Sequence, residues 1–282
     1  MAVDFYDALE ARRPEEREAA LMAALPRQLA HAKQNAPGWA RILKDTDPAS
    51  VTTRAALARL PVTRKSDLAE LQKGMPPLGG LNTTPVEKLA KLFASPGPVY
   101  DPEGQGKDWW RTARSLYAAG FRPGDLVLNG FSYHFTPAAS MVEHGALAVG
   151  CTVVPGGTGQ TEMQAAAIRD LRITGFGGTP SFLKLIVEKA DELKIDIPSL
   201  KKAIVGAEYL PPALRQAMAA RGIRVLQLYA TADIGLLAYE SAMPDGKVNE
   251  GMILEEALIL EIVRPGTGDP VSAGEVGEVV VT

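Results

Sequence analysis

Along residues 224–235, RVLQLYATADIG, the apolar positions Val225, Leu226 and Leu228 give way to a tyrosine, small residues, a threonine and one carboxylate, Asp233. The pattern predicts a buried strand that empties into a short polar loop, and open α/β sheets hold their ligands at such strand ends. A short carboxylate there suits a hydrated Mg2+ carried by nucleotide phosphates. It suits equally well an ordinary strand exit with a solvated aspartate, so the rest of the chain has to decide.

Residues 1–75 read as helices. Leucines recur at helical spacing over 19–34, and Pro26 in their midst predicts two short helices rather than one. His31 lies on this pattern as a helix-face residue. Residues 60–71 read as a turn feeding another short helix, with Ser66 and Asp67 near its start. The Pro- and Gly-rich run MPPLGGLNTT at 75–84 marks a loop or subdomain edge.

From there strands and helices alternate. Strands are predicted at 88–94, 125–128, 151–154, 202–205 and 225–228, with a further buried segment at 172–175. Helices are predicted at 107–119, 138–149 (carrying His144 as filler), from Thr161, at 182–193 and at 212–220. Thr136-Pro137 and Thr179-Pro180 give a capping threonine with proline at the first helical position. Thr161 and Gln164 have capping-box spacing. Strands separated by helices of about a dozen residues imply βαβ units and a largely parallel sheet. Beyond Asp233 the helices stop. Strands at 236–240, 257–263 and 275–281, with turns at Pro244-Asp245-Gly246 and Pro265-Gly266, predict a smaller, mostly antiparallel unit. The expected division is a helical region over 1–75, an α/β core over 76–235 and the start of a small β subdomain over 236–282. The last strand, GEVGEVVVT, ends the sequence as if cut.

Composition narrows the classes. In 282 residues, 46% hydrophobic and 22% charged content fits a globular enzyme or binding protein. A net charge of −3 with interspersed signs gives no footprint for nucleic acid. One cysteine, Cys151, excludes disulfides within the chain and thiolate-rich metal sites, and its setting in CTVVP reads as a small buried hydrophobe. No apolar run reaches membrane-spanning length and the first residues lack a signal pattern, which points to the cytoplasm.

Several stretches in collinear order resemble the phenylacetate–CoA ligase branch of the acyl-adenylate-forming, AMP-binding ligases. They are LPVTRKSDL at 60–68, AAGFRPGDLV at 118–127 with the aromatic loop after it, GCTVVPGGTGQTEMQ at 150–164 and TPSFLKLIVEKA at 179–190. GAE at 206–208, LYATAD at 228–233 and PGTGDPVSAGEVGEVVVT at 265–282 complete the set. The resemblance implies the large amino-terminal part of such a ligase, an α/β fold whose largely parallel sheet is sandwiched by helices, followed in the family by a mobile carboxyl-terminal domain. It implies a two-step reaction, in which a carboxylate attacks the α-phosphorus of ATP and the thiol of coenzyme A then displaces AMP. The reactants and cofactors it brings are a small, aryl carboxylic acid, ATP, Mg2+ and coenzyme A. These small molecules are the partners it brings, with a homodimer as a guess from the resemblance.

On this resemblance Gly206, Ala207 and Glu208 stand at the adenine-edge segment, and Tyr229 stacks on the base with Ala230 beside it. Asp233 stands at the Mg2+-binding carboxylate. Ala232 replaces the family's hydroxyl residue, and Thr231 supplies a hydroxyl from the neighbouring position. The phosphate loop departs furthest: only Ser95 and Gly97 match, and prolines remove amide donors. Tyr133, His134, Phe135 and Thr136, with Gly156 and Gly157, align with the acid pocket, and His134, where the family usually has an apolar residue, admits either a polar ring substituent or a non-aryl acid. Ser241 and Val248 stand where some relatives carry metal ligands, so no zinc is expected. The phosphate loop and Ala232 keep open a second reading, a non-catalytic nucleotide- or acyl-CoA-binding homologue. A dinucleotide oxidoreductase, prompted by the run GFGG at 175–178, lacks the G-x-G-x-x-G spacing.

Overall fold

The computed structural model describes residues 4–95, 98–243 and 245–282. They fall into two compact units, one built from Asp7–Gln105 and Glu256–Thr282, the other from Gly106–Glu255 with the first residues of the chain.

In the first unit the helices are α1 (Pro14–Asn35), α2 (Pro37–Ile42), α3 (Arg54–Leu57) and α4 (Leu68–Gly74). Helix α1 runs unbroken through Pro26, where two helices were expected. A proline inside a helix costs about 3 kcal/mol. Leu21, Leu25 and Leu29 all lie buried in one cluster with Leu43, Val51 and Leu57, and burying each leucine returns about 1.5–3 kcal/mol, so the continuous helix wins. Strands β1 (Lys91–Ser95) and β2 (Val99–Glu103) form an antiparallel hairpin, tied to α4 by the Gln72 side chain, which exchanges two 2.8 Å hydrogen bonds with the Tyr100 backbone. The hairpin thus belongs with the helical region, and the boundary expected after residue 75 lies beyond it.

The second unit carries the sheet. Its strands are β3 (Leu126–Asn129), β4 (Thr152–Val154), β5 (Gly175–Gly178), β6 (Lys202–Val205), β7 (Arg224–Thr231), β8 (Gly235–Tyr239) and β9 (Ile253–Leu254). Their order is β4-β3-β5-β6-β7-β8-β9, parallel from β4 to β7 and antiparallel thereafter. Alternation along each strand sends side chains to two faces. Leu128, Phe176, Ala203, Val205 and Val225 pack under α7 (Thr161–Asp170), α8 (Pro180–Glu192) and α9 (Pro212–Ala220). Val127, Ile204, Leu226 and Leu228 pack under α5 (Ala113–Ala118) and α6 (Ala138–Val149). The sheet is therefore sandwiched by helices, as the alternating pattern predicts. In the first unit, the last strands, β10 (Leu260–Val263) and β11 (Glu278–Val281), pair as a small antiparallel sheet.

Three expectations are corrected. Strand β8 pairs with β7 through a tight turn and continues the large sheet, so the unit boundary falls after Glu255 and not after residue 235. Helix α5 starts at Ala113 instead of 107, because the Asp108 carboxylate accepts the amides of Thr112 at 2.9 Å and Ala113 at 3.1 Å and fixes the start there. Thr136 does not cap α6; Thr179 does cap α8, accepting the Phe182 amide at 3.2 Å. The run GFGG is strand β5 itself. A methyl on Gly175 would stand 2.2 Å from Phe121 and one on Gly177 2.6 Å from Val142, so these glycines serve close packing.

Candidate functional site

The chain passes from β3 to β4 on one side of the sheet and returns to β5 on the other side of β3. That reversal makes the carboxyl ends of β3 and β5 a topological switch point, the place where such sheets bind ligands. Five segments leave the parallel strands at this end: residues 130–136 after β3, 155–159 after β4, Thr179 and Ser181 after β5, 206–208 after β6, and the end of β7 with its turn.

On the β6–β7 side, Gly206 is buried and Ala207 and Glu208 are exposed. A methyl on Gly206 would meet Leu228 at 2.9 Å, so the segment lies tight against β7. Gln227 on β7 donates to the Glu208 carbonyl at 2.8 Å, and the Glu208 carboxylate accepts the Ser181 hydroxyl at 2.9 Å at the start of α8. Glu208 thus ties three strand ends together while the positive end of α8 is held by its charge. Tyr229 is 45% exposed, its ring available to a flat ligand. Strand β7 bulges between Tyr229 and Ala230. The bulge turns the chain into the tight loop of Ala232, Asp233 and Ile234, with Asp233 exposed.

Thr231 is the telling residue. Its Oγ1 is buried and has no hydrogen-bond partner. A buried hydroxyl left unpaired costs about 1–3 kcal/mol, so this one calls for a partner that the described residues do not supply. A hydroxyl that can donate to a phosphate oxygen, beside a carboxylate of the hard-oxygen kind Mg2+ prefers, fits a magnesium nucleotide. With one carboxylate present, the ion would keep several waters.

On the β3–β4 side, Asn129 is fully buried and holds both loops: its Nδ2 donates to the Tyr133 hydroxyl at 3.0 Å and to the Ala139 carbonyl at 2.8 Å, while its carbonyl accepts the Gly157 amide at 2.9 Å. The Tyr133 hydroxyl donates to Glu143 at 2.8 Å, and burial, with this carboxylate beside it, pushes the phenol above its ordinary range. Gly157 takes the left-handed conformation at φ +66°, and a methyl on it would touch Tyr133 at 4.0 Å. Phe135, also left-handed, is 80% exposed, and His134 beside it is exposed too. Thr136 Oγ1 makes only a long 3.5 Å contact to the Ser132 carbonyl. Gln164 does not form the expected capping box. Gln160 occupies the N-cap, and the buried Gln164 amide donates to the carbonyls of Gly157 at 2.9 Å and Gly159 at 2.8 Å.

The structure therefore brings Gly206, Ala207, Glu208, Tyr229, Ala230, Thr231 and Asp233 to neighbouring strand ends, and Tyr133, His134, Phe135, Thr136, Gly156 and Gly157 to the ends of β3 and β4. Ser95 lies in the other unit, where its hydroxyl donates to Asp101 at 2.8 Å within the β1–β2 hairpin. Gly97 lies outside the described residues. No local pattern signals the supports: Arg111, which donates to the Ile234 carbonyl in the β7–β8 turn, and Glu255, fully buried against Arg111 and Arg114.

A family model described as AMP-binding enzyme matches residues 107–282. A phenylacetate-coenzyme A ligase of Aromatoleum evansii is 33% identical over 267 residues, covering 89% of this chain and 59% of that protein. Those of Thermus thermophilus and Escherichia coli are each 31% identical, covering 92% and 98% of this chain and 59% and 65% of theirs. The chain thus spans 59–65% of the length of these relatives. Among solved structures, an open conformation of 2-hydroxyisobutyryl-CoA ligase in complex with 2-HIB-AMP and CoA superposes with a TM-score of 0.84 at 24% identity, over 95% of this chain and 61% of that one, a likeness of fold.

Proposed function

The chain belongs to the AMP-binding enzyme family, on its phenylacetate–CoA ligase-like branch, and from that premise we propose that it carries the nucleotide- and acid-binding portion of an AMP-forming acid–CoA ligase. In the reaction, the carboxylate of an aryl acid attacks the α-phosphorus of ATP, forming an acyl-adenylate and releasing pyrophosphate. The thiol of coenzyme A then attacks the acyl carbon and AMP leaves. Such displacements are driven mainly by positioning and charge stabilisation.

In this reading Tyr229 stacks on the adenine and the 206–208 segment forms its edge, where Gly206 keeps the backbone close. Thr231 donates its unpaired hydroxyl to the α-phosphate, in place of the hydroxyl that Ala232 lacks. Asp233 holds Mg2+, which, when bound, screens the charge of the phosphates. The glycine turn at 156–157 and the Tyr133 loop seat the ring of the acid, whose carboxylate faces the nucleotide. The single observation that carries the reading is the buried, unpartnered Thr231 hydroxyl at the end of β7, next to the exposed ring of Tyr229.

A second reading, a binding homologue without turnover, draws support from Ser95, whose hydroxyl is already engaged by Asp101. One experiment separates the two: ATP–pyrophosphate exchange by the full-length protein at saturating Mg2+-ATP with a panel of aryl and small aliphatic acids. Acid-dependent exchange supports the ligase. Silence across the panel, with AMP still bound, supports the homologue.

A further inference from the structure

The wall of the acid pocket holds acceptors that the ligase chemistry does not use. Glu143, on α6, is half-buried, and its one partner is the Tyr133 hydroxyl on Oε2; no cation pairs with it among the described residues. The Tyr133 oxygen is itself committed, since it accepts from Asn129 at 3.0 Å and gives its proton to Glu143. The second carboxylate oxygen, Oε1, is left with capacity to accept. Across the glycine turn, Gln164 is 3% exposed, and its Oε1 is a buried acceptor with no partner, 3.0 Å from where a methyl on Gly156 would stand. Its amide protons are spent on the carbonyls of the turn, which fixes which end of the side chain carries the oxygen.

One buried acceptor without a partner, Gln164 Oε1, and one half-buried carboxylate with its Oε1 unengaged by any described donor therefore lie near the turn at Gly156 and Gly157. A half-buried carboxylate repels a second carboxylate and prefers an O–H or N–H donor. Resting on the ligase reading above, we infer that the acid carries a hydroxyl or amine away from its carboxyl group, received by Glu143, with its own carboxylate turned to the nucleotide side. Glu143 is then the residue that sets specificity, and Asn129 and Tyr133 hold it in place. An unsubstituted ring seated there covers the Glu143 carboxylate without offering its second oxygen a donor, which disfavours it.

The test is calorimetric titration of the full-length protein with phenylacetate, 4-methylphenylacetate, 3- and 4-hydroxyphenylacetate and 4-aminophenylacetate, with acid-dependent pyrophosphate exchange followed in parallel. A hydroxyl- or amine-bearing acid should bind about tenfold or more tighter than phenylacetate, the range expected of a hydrogen bond to a charged group. The Glu143→Gln variant should lose most of that preference, with Glu143→Leu losing all of it, while thermal melting checks that both fold. Equal binding of methyl- and hydroxyl-bearing acids overturns the inference, as does a preference that survives in both variants or a failure to bind any acid. Discrimination in binding without exchange supports the specificity while removing the ligase reading. Exchange without discrimination removes the specificity and leaves the ligase reading standing.

Discussion

The guanidinium of Arg111 donates to the carbonyl of Ile234, the residue that follows Asp233 in the turn between β7 and β8. The same turn is fastened again by the Trp110 carbonyl, which accepts the Leu236 amide at 3.1 Å. Arg111 Nε lies 3.7 Å from Glu255, and Arg114 pairs with the other oxygen of that carboxylate. Asp233 therefore stands on a loop whose geometry is set by a buried acid at the far end of the unit's sequence.

Removing Glu255 strands two partly buried cations. Breaking a buried pair from one side costs about 3–5 kcal/mol, so Glu255→Ala should lower the unfolding free energy by that order in a denaturant titration. Arg111→Lys keeps the charge but loses the planar fork, and nucleotide affinity should fall more than stability does. If Glu255→Ala unfolds like the parent protein, the buried pair does not hold the turn.

Thr231→Val gives effects of opposite sign. Replacing a buried, unpaired hydroxyl by a methyl removes its desolvation cost, so the free protein should gain about 1 kcal/mol of stability. The same change deletes the donor offered to phosphate and should weaken AMP binding about tenfold. A variant that is destabilised and binds AMP normally would mean that the hydroxyl serves the fold alone.

How much of this was legible in sequence follows from the range over which each signal acts. Strand alternation at Val225, Leu226 and Leu228, and the Thr179-Pro180 cap, are local, and the structure follows them. Pro26 misled because tertiary burial of Leu21, Leu25 and Leu29 outweighs a local penalty. Gln164 has the spacing of a helix cap, but its amide serves a turn that only the sheet topology brings near. Arg114 and Glu255 meet across 141 residues, a pairing that no local pattern signals. Strand β8 read as the opening of a new unit because helices stop at Asp233, whereas hydrogen bonding to β7 keeps it in the large sheet.

Gly175→Ala tests the packing role of β5. An added methyl would stand 2.2 Å from the fully buried Phe121 ring, and overpacking of this kind costs about 1–3 kcal/mol or more. Thermal melting should show a drop for Gly175→Ala and little change for Gly74→Ala at the end of α4, where nothing lies within 4 Å of an added methyl. A parent-like melt for Gly175→Ala would reopen a ligand-facing role for this run.

Asp125 supplies the pH signature. Burial by itself raises its pKa, but Lys202 at 2.8 Å, Thr174 at 2.7 Å and the Arg122 amide at 2.7 Å outweigh that and hold the carboxyl below its ordinary value of 3.8. A depressed folded-state pKa means that the stabilisation is fully present above the unfolded value and is lost as pH falls through the folded one. Lys202→Met should therefore lose stability relative to the parent at neutral pH, and the difference should shrink as pH drops below 3.8. A difference that stays constant down to pH 2 would assign the effect to packing of the lysine stem instead.

The central claim, that a purine nucleotide sits on the ends of β6 and β7, is tested most directly by titrating AMP into the protein and its Tyr229→Ala, Asp233→Ala and His31→Ala variants. Stacking on one aromatic ring is worth about 1–3 kcal/mol per base, so Tyr229→Ala should weaken AMP by about tenfold or more. Asp233→Ala should weaken Mg2+-ATP more than it weakens AMP, and His31→Ala should change neither. AMP binding that is absent, or indifferent to Tyr229, contradicts the account.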